Sequence, residues 1–150
     1  MPMSRPKPSA TGAFSRAEYE KLAEFRYYLA RFLRSRKDAA RAEGLQAQHY
    51  ELLLSVAGLP PDAHPTIKEI ARQLCLEHHT VVELADRLEK RGLLKRQSSG
   101  QDRRVVHLHL TRDGQATLNK IVRFSFAQLR EEAPELIRSL RRLLNETQRS

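Results

Sequence analysis

The heptapeptide Ser98-Ser99-Gly100-Gln101-Asp102-Arg103-Arg104 sets two adjacent arginines and an aspartate behind residues that favour turns. Guanidinium groups on a projecting tip suit phosphate oxygens and base edges, and a neighbouring carboxylate can hold one of them in place. Upstream, His78, His79 and Thr80 bring imidazole and hydroxyl groups, which bond to the same targets. Between Arg87 and Arg104 stand seven basic residues (Arg87, Lys90, Arg91, Lys95, Arg96, Arg103, Arg104) against two acidic ones (Glu89, Asp102). The 150-residue chain has 27 Lys and Arg against 18 Asp and Glu, a formal +9, so over half of the excess lies in this stretch. Net charge alone would also fit a well-solvated surface, but charge focused in this way points to a polyanionic partner.

Other chemistries find little support. There is no Gly-rich phosphate loop, no nucleophile elbow and no spaced acid pair, so no enzyme is expected. The single cysteine, Cys75, excludes an intramolecular disulfide and a cysteine-based metal cluster. Its setting between Leu74 and Leu76 reads as a small buried apolar side chain, with a redox-sensing thiol as the alternative. His107 and His109 share a strand face, and His78 with His79 could approach them. A metal site usually needs three or four converging ligands, so neither metal nor cofactor is expected.

The elements that must position these residues follow from periodicity. Ser15-Arg16-Ala17-Glu18 is a capping box with Phe14 and Tyr19 as its staple. Leu22, Phe25, Leu29, Phe32 and Leu33 then predict a long helix over about 16–42, ended by Gly44. Tyr50, Leu52, Leu53, Leu54 and Val56 predict a second helix, stopped by Pro60-Pro61. Thr66-Ile67-Lys68-Glu69 reads as another capping box, opening a short third helix. Val81, Leu84, Ala85 and Leu88 stripe a fourth, capped by Gly92. Leu93 to Gln97 and Val105 to Leu110 read as two strands, the second with Val106, Leu108 and Leu110 on its apolar face. Thr111 to Gly114 opens a fifth helix, and Pro134 is expected to begin a sixth.

This order predicts a mainly α protein with a small β-hairpin wing, a winged helix-turn-helix. On its fourth helix His79, Glu83, Asp86 and Lys90 face outward, flanked by Val82 and Arg87. Val82 suits a thymine methyl group. Glu83 and Asp86 either accept from a cytosine amino group or orient Arg87 and Lys90 through i,i+4 pairs, the second reading being preferred for Asp86. No apolar run reaches bilayer length, and MPMSRPKPSATG has three prolines in its first eight residues and no apolar signal core. A disordered tail over 1–13 and a cytoplasmic protein with no membrane partner are expected.

Residues 44–118 resemble the MarR family of transcriptional regulators. The resemblance rests on GLQAQHYELLLSVAG, on TIKEIARQLCLEHHTVVELADRLEKRGLLKR, and most specifically on DRRVVHLHLTRDG. That last stretch fits the pattern D-x-R, five residues, L-T-x-x-G as Asp102, Arg104, Leu110, Thr111 and Gly114. The resemblance implies a single domain over 14–150, with the winged helix-turn-helix at about 46–111 and dimerisation helices at about 15–43 and 113–147. It implies a homodimeric repressor on pseudo-palindromic, double-stranded promoter DNA, released by a small-molecule effector. His78, His79, Thr80, Val82 and Glu83 would read the major groove, with Arg87 and Lys90 beside them. Arg104 would enter the minor groove, with Asp102 as its brace and Arg103 on a phosphate. Leu22, Phe25, Leu136, Ile137, Leu140, Leu143 and Leu144 would build the dimer, and Tyr27, Tyr28, Phe32 and His49 would lie near the effector. The alternative is a winged-helix module that dimerises and binds protein.

Overall fold

The computed structural model describes residues 12–100 and 102–147; the tail expected over 1–13 lies outside them except for Gly12 and Ala13. The elements are α1 (Arg16–Ala42), α2 (Ala47–Ala57), α3 (Ile67–Leu74), α4 (His78–Lys90), β1 (Leu94–Ser99), β2 (Asp102–Leu110) and α5 (Arg112–Thr147). The mainly α architecture with one antiparallel hairpin is the one expected. Ser15 Oγ accepts from the Glu18 amide at 3.2 Å and Glu18 Oε2 accepts from the Ser15 amide at 2.6 Å, so α1 starts with its capping box closed. These bonds hold the Glu18 carboxyl below its ordinary pKa. Gly44, at φ 73°, turns the chain out of α1.

One apolar core ties the winged module together. Leu52 and Leu53 of α2, Ile70 of α3, Val81, Leu84, Ala85 and Leu88 of α4, Leu94 of β1 and Leu108 of β2 are all buried in it. The stripe read on α4 is therefore its inward face, and His79, Glu83, Asp86 and Lys90 are exposed.

Four local expectations are corrected. Pro134 starts no sixth helix and lies inside the 36-residue α5. Its missing N–H costs one i→i−4 bond. Ties to α1 bracket it, however: Ser35 Oγ donates to Glu132 Oε2 at 3.1 Å, and Arg142 Nη1 donates to Glu24 Oε2 at 3.0 Å. Thr66 caps α3 only one way. Its Oγ1 accepts from the Glu69 amide at 3.1 Å, while the Glu69 carboxylate turns forward to Arg72 and Gln73. Those bonds bring the Glu69 carboxyl down to about 2. Cys75 is exposed, not buried: it ends α3 at φ 53°, and this left-handed residue turns its side chain away from the core, leaving the apolar contact to Leu76. The strands also run further than alternation suggested, taking in Ser98, Ser99 and Asp102 to Arg104.

The hairpin is locked to α4 and α5 at its root. Leu94 pairs with Leu110, the Thr111 amide donates to Leu93 O at 3.1 Å, and Thr111 Oγ1 donates to Gly92 O at 2.6 Å. The same hydroxyl accepts from the Gly114 amide at 3.0 Å, capping α5. A Cβ on Gly114 would overlap Leu93 O and come within 2.9 Å of its carbonyl carbon. Gly114→Ala should therefore force main chain apart and lower unfolding free energy by about 3 kcal/mol. Urea denaturation followed by circular dichroism reads this out, and an unchanged midpoint would contradict the close approach.

Candidate nucleic-acid interface

Two features project from the winged module. The first is the start of α4, where His78 and His79 are exposed and Thr80 and Val82 half-buried. Helix N-termini direct free amides and partial positive charge outward, which favours anions there. Glu83, Arg87 and Lys90 are exposed along the same helix. The second is the hairpin tip. Between Ser98 and Ser99 the register jumps from Val106 to Asp102, so β2 carries its extra residues opposite one step of β1. Such a bulge bends a strand and re-aims its side chains. Arg104 is exposed; the side chain of Arg103 lies outside the described ones.

Asp102 acts on the main chain at this bulge. Its Oδ1 accepts from the Arg104 amide at 2.9 Å, and Ser99 Oγ donates to Asp102 O at 3.4 Å. Asp102 thus fixes the backbone from which Arg104 projects. Asp86 differs from expectation. It pairs with neither Arg87 nor Lys90: Arg96 of β1 places Nη2 2.7 Å from Asp86 Oδ1 and Nη1 3.2 Å from Glu89 Oε2. The groups are partly solvated, so the pair adds little stability. It bridges β1 of the wing to the exposed face of α4. Arg96 was not singled out in the sequence, although two acids three residues apart on α4 were the signal. Arg91 is also committed internally, donating to Gly44 O. Among the described residues Arg87, Lys90, Lys95 and Arg104 form no ion pair, so their charge is the free part of the cluster.

Away from these projections, Leu22, Ile137, Leu140 and Leu144 leave much of their apolar surface exposed, and Phe25, Leu136 and Leu143 are half-buried. Tyr27 and Tyr28 meet edge to face at 5.2 Å. The Arg36 guanidinium lies 5.6 Å from the Phe32 ring and 5.3 Å from that of Tyr50. His49 is buried beside Tyr50, its Nδ1 accepting from the Gln46 amide at 3.3 Å. Its Nε2 therefore carries the proton in the neutral ring, and that donor is buried without a partner among the described residues. None of Tyr27, Tyr28, Phe32 and His49 lines the cleft of about 390 Å³ between the α2–α3 link, β2 and α5, which includes Pro60, Pro65, Leu108, His109 and Gln115.

A two-stranded wing with an exposed arginine, beside a helix-turn-helix with an exposed N-terminal turn, is a nucleic-acid-binding geometry. Residues 43–105 match the model of the MarR family. The winged module is similar to that family. MarR-family proteins are DNA-binding transcription regulators, not enzymes. The fold is shared beyond the matched residues. MarR of E. coli is 18% identical with a TM-score of 0.65, over 91% of this chain and 98% of its own. CouR of Rhodococcus jostii, solved with p-coumaroyl-CoA, is 20% identical with a TM-score of 0.70, over 91% and 94%. A transcriptional repressor CouR bound to a 23-mer DNA duplex is 24% identical with a TM-score of 0.67, over 91% and 96%. Among the described residues, no helix is long and apolar enough to cross a membrane.

His49 makes the module sensitive to acid. Burial first, then the charges of Arg87 and Arg91, hold its imidazole below the ordinary value of 6.5. An unfolded chain protonates this residue more readily than the folded one, so its contribution to stability is present above that value and is lost as pH falls below it. Between about pH 7.5 and about pH 5 the urea midpoint should drop, and His49→Gln should drop less over the same interval. Parallel losses in the two proteins would show that other groups carry the acid sensitivity.

Proposed function

We propose that this chain is a sequence-specific transcriptional repressor that acts in the cytoplasm as a homodimer on pseudo-palindromic promoter DNA. The observation that carries it is the exposed, unpaired Arg104 on a wing whose backbone Asp102 fixes, set beside the open first turn of α4. His78, His79, Thr80, Val82 and Glu83 read base edges in the major groove, with Arg87 and Lys90 supporting. Arg104 enters the minor groove and Arg103 meets a phosphate. Asp86 stays outside this contact set, held by Arg96. The DNA-bound CouR duplex structure supports the reading.

Dimerisation is supported by the exposed apolar residues of α1 and α5, Leu22, Ile137, Leu140 and Leu144. A patch of this kind marks an interface in a water-soluble protein. The two winged modules of a dimer then meet two half-sites. Release by a small molecule is supported by the p-coumaroyl-CoA held by CouR and by the unpartnered donor on His49, which suits a carbonyl or carboxylate. Tyr27, Tyr28 and Phe32 supply aromatic surface close in sequence to the same lobe.

Two measurements test this. Selection from a random DNA pool should enrich an inverted repeat, with affinity falling steeply as salt rises. Arg104→Ala should weaken binding about tenfold across many sequences and flatten the salt slope by about one. No binding at low salt would instead favour a winged-helix module that dimerises to bind protein. Separately, analytical ultracentrifugation should find a dimer, and Leu140→Glu with Leu144→Glu should give folded monomers with reduced DNA affinity. A monomeric wild-type protein would remove the two-half-site reading.

A further inference from the structure

His64, in the Pro60–Pro65 link, comes to rest against the wing. Its ring centroid lies 5.5 Å from that of His107, with 18° between the planes, and His109 lies 6.4 Å beyond His107. The backbone holds this arrangement. The Leu108 amide donates to Pro65 O at 2.8 Å, and an isolated antiparallel bridge joins Thr66 to His107, so the end of the link is pinned beside β2. His107 and His109 alternate with the buried Leu108, which puts both imidazoles on one face of the strand. Neither the core nor the interface described above uses any of the three rings.

We propose that His64 and His107, with His109 as third donor, bind a borderline divalent transition-metal cation of the Zn²⁺, Ni²⁺ or Cu²⁺ class. Neutral imidazole is the preferred ligand for such ions. An ion held by ring nitrogens stands roughly 3.2 Å from each ring centroid, so two rings that share it lie no more than about 6.4 Å apart. The His64–His107 separation lies inside that limit and the His107–His109 separation sits at it, so His109 must turn inward to share the ion. The His64 and His107 rings stack and do not point at one spot, and among the described residues no three metal-binding side chains converge as placed. His64 is exposed on a link, so a side-chain rotation turns its nitrogen toward the ion at small cost. The ion assembles the site. Gln97, opposite His107 across the ladder, adds a carbonyl oxygen on the same face, whereas Lys95, opposite His109, sets a positive charge there and makes His109 the weakest donor. Bound metal would fasten the α2–α3 link to the root of the wing, beside the Pro65–Leu108 bond.

The experiment uses untagged, chelator-treated full-length protein titrated with ZnCl₂, NiCl₂ or CuCl₂ alone, by calorimetry and by imidazole ¹⁵N–¹H correlation with the zinc salt. Saturable binding is expected, with His64, His107 and His109 signals moving together while His78 and His79 stay in place. His64→Ala and His107→Ala should each weaken binding about tenfold or more, and His109→Ala less. His64 is exposed, so the thermal unfolding of metal-free His64→Ala should match wild type even if His107→Ala is less stable. Absence of saturable binding, undiminished binding in His64→Ala, or shifts confined to His78 and His79 would each overturn the proposal. DNA affinity enters none of these readouts.

Discussion

The carbonyl of Leu93 receives the Thr111 amide at 3.1 Å, and Gly114 packs against the same peptide so closely that no Cβ fits. Thr111 uses its hydroxyl twice, donating to Gly92 O and accepting from the Gly114 amide. Three elements therefore meet at one peptide: the end of α4, the root of the wing and the start of α5. A backbone contact of this kind has no side-chain slack, so the wing and the lobe built on α5 take their positions relative to α4 from it. The pattern L-T-x-x-G is, in this chain, the sequence trace of that junction.

From the junction outward, charge is arranged by what is already paired. Seven basic residues between Arg87 and Arg104 look equivalent in the sequence, but the fold divides them. Arg91 reaches back to the end of α1 and Arg96 crosses to Asp86 and Glu89. Arg87, Lys90, Lys95 and Arg104 keep their charge for a partner. Of the three acids on α4, Asp86 and Glu89 are neutralised by Arg96, which ties β1 to that helix, while Glu83 takes no part in the pair.

Much of this was legible because it is local. The stripe of Val81, Leu84, Ala85 and Leu88, the Ser15–Glu18 box and the Gly44 turn each depend on residues within a few positions of one another. The readings that failed depend on distant partners. Pro134 is a helix start by local rule and a helix interior because α1 holds α5 on both sides of it. Glu69 fits a capping box by spacing, yet bonds forward to Arg72. Cys75 sits among apolar neighbours in sequence, and the left-handed turn it makes exposes it. At the bulge, which residue order does not reveal, the Asp102 carboxylate takes the Arg104 amide.

By itself, the sequence determined which segments are helices or strands, which face of each is apolar, and that the positive charge gathers in the second half of the winged module. Periodicity and capping act over one or two turns, so residue order is enough to specify them. Only the tertiary structure decided which arginines remain free, what Asp102 and Asp86 hold, that His49 keeps an unpartnered buried donor, and that His64 joins His107. Those outcomes depend on groups far apart in the chain meeting within hydrogen-bonding or ring-contact distance, which no local pattern encodes.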